Sequence, residues 1–311
     1  MNLFDVKKAE KILPKLYGIK VKLVNPTKEM KDFEKLKEFG AEVEIVDGEN
    51  PAIIISKGDI EITYMAIPIQ MEFEPFLKTL AMLAKDEVHE NLKLNCEGEI
   101  KVFIAPVCPH CAQVVESINK IAIANPSIKV KIIDVMLYPE LGEKYEITSA
   151  PTVVIKDVKL VGEYTIEELF EWVKKVLCGE DYKTDYYVIL LKDGKIEEVK
   201  KDVEKNDKNL IALVNVLEKP EIMARVGAIM ILEEIGEKNP NKLIKIKDRL
   251  IEMLKRGTSK EDLTVIQDVV YLIGKIGDTE DIKLLEKLKE LGDEDIKDAV
   301  DEAIEEIMER K

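Results

Sequence analysis

The sequence predicts an α/β protein followed by an all-α domain. Three observations predict it. Helix-like and strand-like segments alternate over the first two-thirds of the 311 residues. The same order returns about a hundred residues later, most visibly where Asn50-Pro51-Ala-Ile-Ile-Ile is echoed by Ala150-Pro151-Thr-Val-Val-Ile. After Gly179 the strand signals almost vanish, and Lys, Glu, Ile and Leu dominate at helical spacing.

The first unit spans residues 1–95. Lys20 to Val24 reads as a strand. Lys28 to Phe39 reads as an amphipathic helix stopped by Gly40, and Ala41 to Val46 alternates apolar and acidic residues as a half-buried strand does. Pro51 introduces the apolar run Ala52 to Ile55. Lys57-Gly58-Asp59 marks a turn, Ile60 to Tyr64 a second alternating strand, and Glu72 to Lys85 a closing helix.

The second unit spans 96–180. Ile100 to Ala105 is a strand, Cys108 to about Ala124 a helix with Val114, Ile118 and Ile121 on one face, and Ile128 to Val135 a strand. A short helix follows around Glu140 to Tyr145. Pro151 then introduces Thr152 to Ile155, Lys156-Asp157 marks a turn, and Lys159 to Val161 is a strand. The helix Thr165 to Leu177 opens on a capping box, Thr165 with Glu168. A mixed sheet covered by helices follows from this pattern.

Residues 181–311 form the helical domain. Tyr186 to Leu191 and Ile196 to Val203, joined at Asp193-Gly194, read as a helical hairpin in preference to a β-hairpin. Ala228 to Gly236 is echoed by Val270 to Gly277, and Ala299 to Ile307 is a weaker third copy. A period near 40 residues is that of HEAT-type repeats, with the acidic last helix as a solvated cap. Such a domain serves as a partner-binding surface for an unidentified protein or as a dimerisation element.

Composition narrows the function. The net charge is -15. Nucleic acid and anionic membranes are repelled by that charge, and no local basic patch offsets it. No apolar run approaches the ~18 residues that span a bilayer, and the N-terminus lacks a signal-peptide pattern, so the cytoplasm is expected. The Lys- and Glu-rich composition is similar to that of hyperthermophile proteins, in which intracellular disulfides are common.

Four cysteines are present. Cys108 and Cys111 form a C-x-x-C between a strand and a helix. A redox cysteine must react as a thiolate, and the start of a helix stabilises negative charge. Pro109 suits the first helical position, where its missing N–H costs nothing. Cys111 lies one turn inside, placed to resolve a mixed disulfide on Cys108. His110 adds positive charge or a hydrogen bond. Pro151, ahead of a strand, would present main-chain groups to a substrate chain if its bond were cis. The bland readings are a metal site for the cysteine pair, which wants four ligands, and Cys96 and Cys178 as unpaired residues at element ends. A Cys96–Cys178 bridge is the alternative for that second pair.

These residues carry a resemblance. Phe103-Ile-Ala-Pro-Val-Cys-Pro-His-Cys111, Ile121-Ala-Ile-Ala-Asn-Pro126 and Tyr145-Glu-Ile-Thr-Ser-Ala-Pro151 resemble the thioredoxin superfamily. The closer likeness, over roughly residues 1 to 179, is to archaeal protein disulfide oxidoreductases and to the N-terminal domain of alkyl hydroperoxide reductase flavoproteins. The resemblance implies two fused thioredoxin-like folds, with Cys108 attacking, Cys111 resolving and Pro151 as the cis-proline. It departs in three respects. The first unit holds no cysteine, with Asn25-Pro26-Thr27 where a motif would fall. Val102 stands where thioredoxins bury an aspartate. Neither family usually carries a helical tail. By the same resemblance Glu74, with Glu72 the near alternative, is the acid expected near the redox centre.

The expected activity is dithiol–disulfide exchange with protein substrates through a mixed disulfide on Cys108. No cofactor is expected beyond the Cys108–Cys111 disulfide itself, and an unidentified reductase or oxidant completes the cycle. The competing readings are a non-enzymatic scaffold built on the helical domain and an electron-delivery module for a peroxidase or reductase.

Overall fold

A computed structural model describes residues 3–256 and 263–310. The chain divides into two compact units, Met1–Asp181 and Tyr182–Lys311.

In the first unit, helix α1 (Val6–Ile12) is capped by the side chain of Asp5 and leads into strand β1 (Lys20–Val24). The expected helix after β1 is a 3-10 helix, Met30–Phe39, which ends where Gly40 takes φ 96°. Its buried residues, Met30, Phe33 and Leu36, recur every three positions. That is the repeat of a 3-10 turn and explains the tighter winding. Strands β2 (Glu42–Val46), β3 (Ala52–Lys57) and β4 (Ile60–Met65) and helix α2 (Phe73–Ala84) complete the first half.

The second half repeats the order: β5 (Gly98–Ile104), α3 (Pro109–Ala124), β6 (Ile128–Asp134), α4 (Pro139–Lys144), β7 (Thr152–Ile155), β8 (Val158–Val161) and α5 (Ile166–Cys178). The predicted capping box at Thr165 and Glu168 is present. All eight strands form one sheet, in the order β2-β1-β3-β4-β6-β5-β7-β8. Each half is built alike. Its first two strands pair in parallel, and the third and fourth follow antiparallel. The halves meet where β4 pairs in parallel with β6. The internal duplication read from the two proline-led strands is therefore a duplication of topology, as two fused thioredoxin-like folds require.

Packing at the junction is aromatic and polar together. Phe4, Phe33, Phe76 and Tyr64 form a chain of edge-to-face contacts, with centroids 5.6, 5.4 and 5.1 Å apart. Buried Asn119 of α3 donates to the Tyr64 hydroxyl at 2.8 Å and to Thr79 Oγ1 at 3.0 Å. One amide thus ties α3 to β4 and α2, and satisfies groups that would be costly to bury alone.

In the second unit, strand is absent among the described residues. The segment after the linker is helical, α6 (Lys183–Lys192) and α7 (Ile196–Val203), with Tyr186 and Tyr187 buried. Then follow α8 (Asp207–Asn215), α9 (Ile222–Lys238), α10 (Pro240–Ile244), α11 (Lys247–Arg256), α12 (Leu263–Ile276), α13 (Ile282–Leu288) and α14 (Glu294–Glu309). The three echoing segments lie in α9, α12 and α14, and α12 packs against both of the others. Gly274 of α12 permits the closest approach. A Cβ there would lie 3.0 Å from the Ala303 backbone of α14.

Candidate active site at the Cys108–Cys111 pair

β5 carries the chain up to the site. Its last residue, Ile104, lies opposite Asp134 at the end of β6. The chain then turns through Val107, which adopts φ 62°, and enters α3 at Cys108. Cys108 is the N-cap. Its backbone is extended, Pro109 follows at the first helical position, and its Sγ accepts the Cys111 N–H at 3.2 Å. The first turn of α3 holds no acidic residue. The positive end of the helix favours a thiolate on Cys108.

The two cysteines are joined in a disulfide, with Cα atoms 5.4 Å apart. They differ in access: Cys108 is half-buried and Cys111 fully buried. A partner thiol can therefore reach the first sulfur and not the second. The Ala150–Pro151 bond is cis, and the Ala150 carbonyl oxygen lies 3.8 Å from Cys108 Sγ. His110 is largely exposed, and its Nδ1 lies 2.7 Å from Glu163 Oε2, so its imidazole is held by a carboxylate.

The two candidate acids stand in different environments. Glu74 is a half-exposed carboxylate in α2, paired with Lys8 at 3.0 Å and Lys78 at 3.2 Å. Hydrogen bonds from Lys8 and then Lys78 hold it below the usual glutamate range. Such a group stays ionised and has no proton to exchange near neutrality. Glu72 is the buried one. Neither of its carboxylate oxygens has a hydrogen-bond partner among the described residues. Burial first, and the charge of Asp134 second, push it up to about 7. Asp134 is itself raised by burial, against the lowering effect of the Met136 N–H, which it accepts at 2.8 Å. The reason is positional. Glu72 precedes the first turn of α2 and turns inward with its neighbour Phe73, whereas Glu74 falls on the solvent side of that turn. The aliphatic Val102 is fully buried in β5, where thioredoxins carry an aspartate.

Cys96 and Cys178 are also bridged, with Cα atoms 5.1 Å apart, which replaces the reading of two unpaired residues. The bridge joins the approach to β5 with the end of α5. Packing beside it is close, since a Cβ on Gly98 would lie 2.7 Å from Leu177. Lys156 donates to the Val176 carbonyl at 2.8 Å, capping the same helix end.

Among the described residues, no three His, Cys, Asp or Glu side chains come together in a way that could hold a metal ion. Among the same residues, no helix is long and apolar enough to cross a membrane.

Comparison with known proteins bears on this geometry. A thioredoxin domain model matches residues 98–174, which run from β5 into α5. A thioredoxin of Methanocaldococcus jannaschii is 37% identical over 81 residues, covering 25% of this chain and 95% of that protein. An NADH dehydrogenase of Ferdinandcohnia aciditolerans is 28% identical over 120 residues, 36% of this chain and 23% of that protein. An alkyl hydroperoxide reductase of Pseudomonas putida is 25% identical over 133 residues, 40% of this chain and 26% of that protein. The chain thus spans about a quarter of the two larger proteins and nearly the whole of the small one. With that match over nearly the full length of a thioredoxin, the chain belongs to the thioredoxin family.

Proposed function

We propose that the chain is a thiol–disulfide oxidoreductase that exchanges a dithiol for a disulfide with protein substrates, through a mixed disulfide on Cys108. The observation that carries this reading is the asymmetry of the pair. An accessible sulfur at the head of α3 accepts the N–H of a buried second cysteine.

In the reducing direction the Cys108 thiolate attacks a substrate disulfide. A bond forms between Cys108 Sγ and one substrate sulfur, and the other substrate sulfur leaves as a thiolate and takes a proton. Cys111, its proton passed to Glu72, then attacks Cys108 Sγ. The mixed disulfide breaks, the second substrate thiol is released, and Cys108–Cys111 closes. Two electrons have moved to the substrate. A carboxylate held near 7 is matched to accept and return a proton at neutral pH. Pro151 and the Ala150 carbonyl border the place where the substrate chain lies, and His110, paired with Glu163, sits at its rim.

A redox titration in glutathione or dithiothreitol buffers tests the reading, with the cysteines followed by alkylation and mass and Cys108→Ser as control. The expected result is a reversible two-electron couple between about -270 and -120 mV. A pair that never cycles overturns it. A second reading, an electron-delivery module for a flavin reductase, is favoured by the partial match to the two larger proteins. Rapid reduction by such a reductase with little activity on insulin would select it.

A further inference from the structure

We infer that the helical unit carries a docking surface for a basic amphipathic segment of a partner protein, a site separate from the redox chemistry. Two independent features of neighbouring helices define it.

The first is an apolar stripe on α9. Ile222, Met223, Val226 and Met230 are 65, 69, 46 and 52% exposed. At about 100° per residue they fall within one sector roughly 100° wide. Scattered exposed apolar residues need no account, but four on one helical face form a patch, and patches mark contact surfaces.

The second is an acidic groove between α12 and α14, of about 490 Å³, with Asp268, Glu302, Glu305, Glu306 and Glu309 among its lining residues. Lys275 is also in its lining and is paired with Glu306. Glu302, Glu305 and Glu309 hold no ion pair with a described residue. α14 carries eight carboxylates against one lysine, several of them four residues apart. Like charges at that spacing destabilise a helix, so a cationic ligand would relieve a repulsion already present.

The stripe and the groove are continuous. Tyr271, half-exposed on the groove wall, donates to Glu233, which continues the exposed face of α9 one turn beyond Met230. Arg225, beside Val226, is 3.3 Å from Asp268 in the groove lining. Apolar anchors flanked by carboxylates fit an amphipathic helix with Lys or Arg along one edge, a recognised mode of helix-in-groove binding. The same charge argues against nucleic acid and anionic lipid.

The test uses the full chain and a labelled Leu/Lys amphipathic peptide of roughly 18 residues. A shuffled peptide of the same composition is the control, and binding is read by fluorescence anisotropy. Saturable 1:1 binding is expected, at least about tenfold tighter than for the shuffled peptide. Val226→Glu/Met230→Glu and Glu302→Gln/Glu305→Gln/Glu309→Gln should each weaken it at least about tenfold, with unchanged far-UV circular dichroism. The carboxylate variant should also flatten the salt dependence. Equal binding of both peptides, no binding, or indifference to the α9 variant overturns the proposal. So does a dimer in sedimentation that Val226→Glu/Met230→Glu dissociates, which would make the stripe a self-interface. The Cys108–Cys111 couple, titrated in the same variants, stays unchanged, so failure here leaves the redox reading intact.

Discussion

Glu72 and Asp134 are two partly desolvated carboxylates held by different elements, and the charge of Asp134 raises Glu72 beyond what burial alone does. Asp134 ends β6, opposite the strand that delivers the redox motif. Glu72 stands at the entrance to α2, which packs on the helix that carries both cysteines. A charge held there has a cost to the fold, and a proton relieves it. The folded chain binds it more tightly than the unfolded chain, so Glu72 contributes stability below about pH 4.5 that is lost as pH rises through about 7. Glu72→Gln removes the buried charge. It should match the parent near pH 4 and exceed it by about 2–3 kcal/mol near pH 8 in urea unfolding. The same variant should slow disulfide exchange at neutral pH by roughly a hundredfold. A variant no more stable at alkaline pH than the parent contradicts the burial.

The unequal access of the two sulfurs makes a separate prediction. Cys111→Ser should accumulate a mixed disulfide with a substrate protein, because the resolving sulfur is gone while the accessible one remains. Cys108→Ser should trap nothing. Non-reducing electrophoresis and mass measurement distinguish them, and equal trapping by both variants contradicts the assigned order of attack.

The motif itself was legible because its signals are local. A strand, a turn and a helix that opens on Cys108-Pro-His-Cys111 lie within some twenty consecutive residues. The duplicated topology was legible for the same reason, through Pro51 and Pro151 and the apolar runs behind them. The acid was not. Glu72 and Glu74 flank the same phenylalanine, and Glu72 lies before the first helical turn, where the 3.6-residue period no longer says which way a side chain points. The 3-10 winding of Met30–Phe39 was readable in hindsight from its three-residue apolar spacing, which an amphipathic-helix template absorbs unless periods are compared. The Cys96–Cys178 bridge depends on elements 82 residues apart meeting in space, which spacing alone does not specify.

That bridge closes a loop around the whole second half, including the redox pair. Constraining the unfolded chain over 82 residues is worth about 4.5 kcal/mol in the loop-entropy model. Cys96→Ala/Cys178→Ala should therefore lower the unfolding free energy by about 3–5 kcal/mol under non-reducing conditions. The Cys108–Cys111 potential should be unaltered, since the two bridges share no residue. A double variant as stable as the parent means the second bridge is not formed in solution.

Val107 precedes Cys108 in the left-handed region at φ 62°, a conformation that crowds a β-branched side chain. Its side chain is 69% exposed, so packing gives back little of that cost. Strain of this kind is tolerated where surrounding structure holds it, and here the end of β5 and the cap of α3 hold both sides of the turn. Val107→Asn replaces it with a residue that accepts the left-handed region. The expected gain is about 1 kcal/mol in urea unfolding. If the strain also sets the direction of Cys108 Sγ, the exchange rate at neutral pH should fall as stability rises. A stability gain with an unchanged rate would show that the strain belongs to the turn alone. A loss of stability would show that the Val107 side chain makes contacts worth more than the strain.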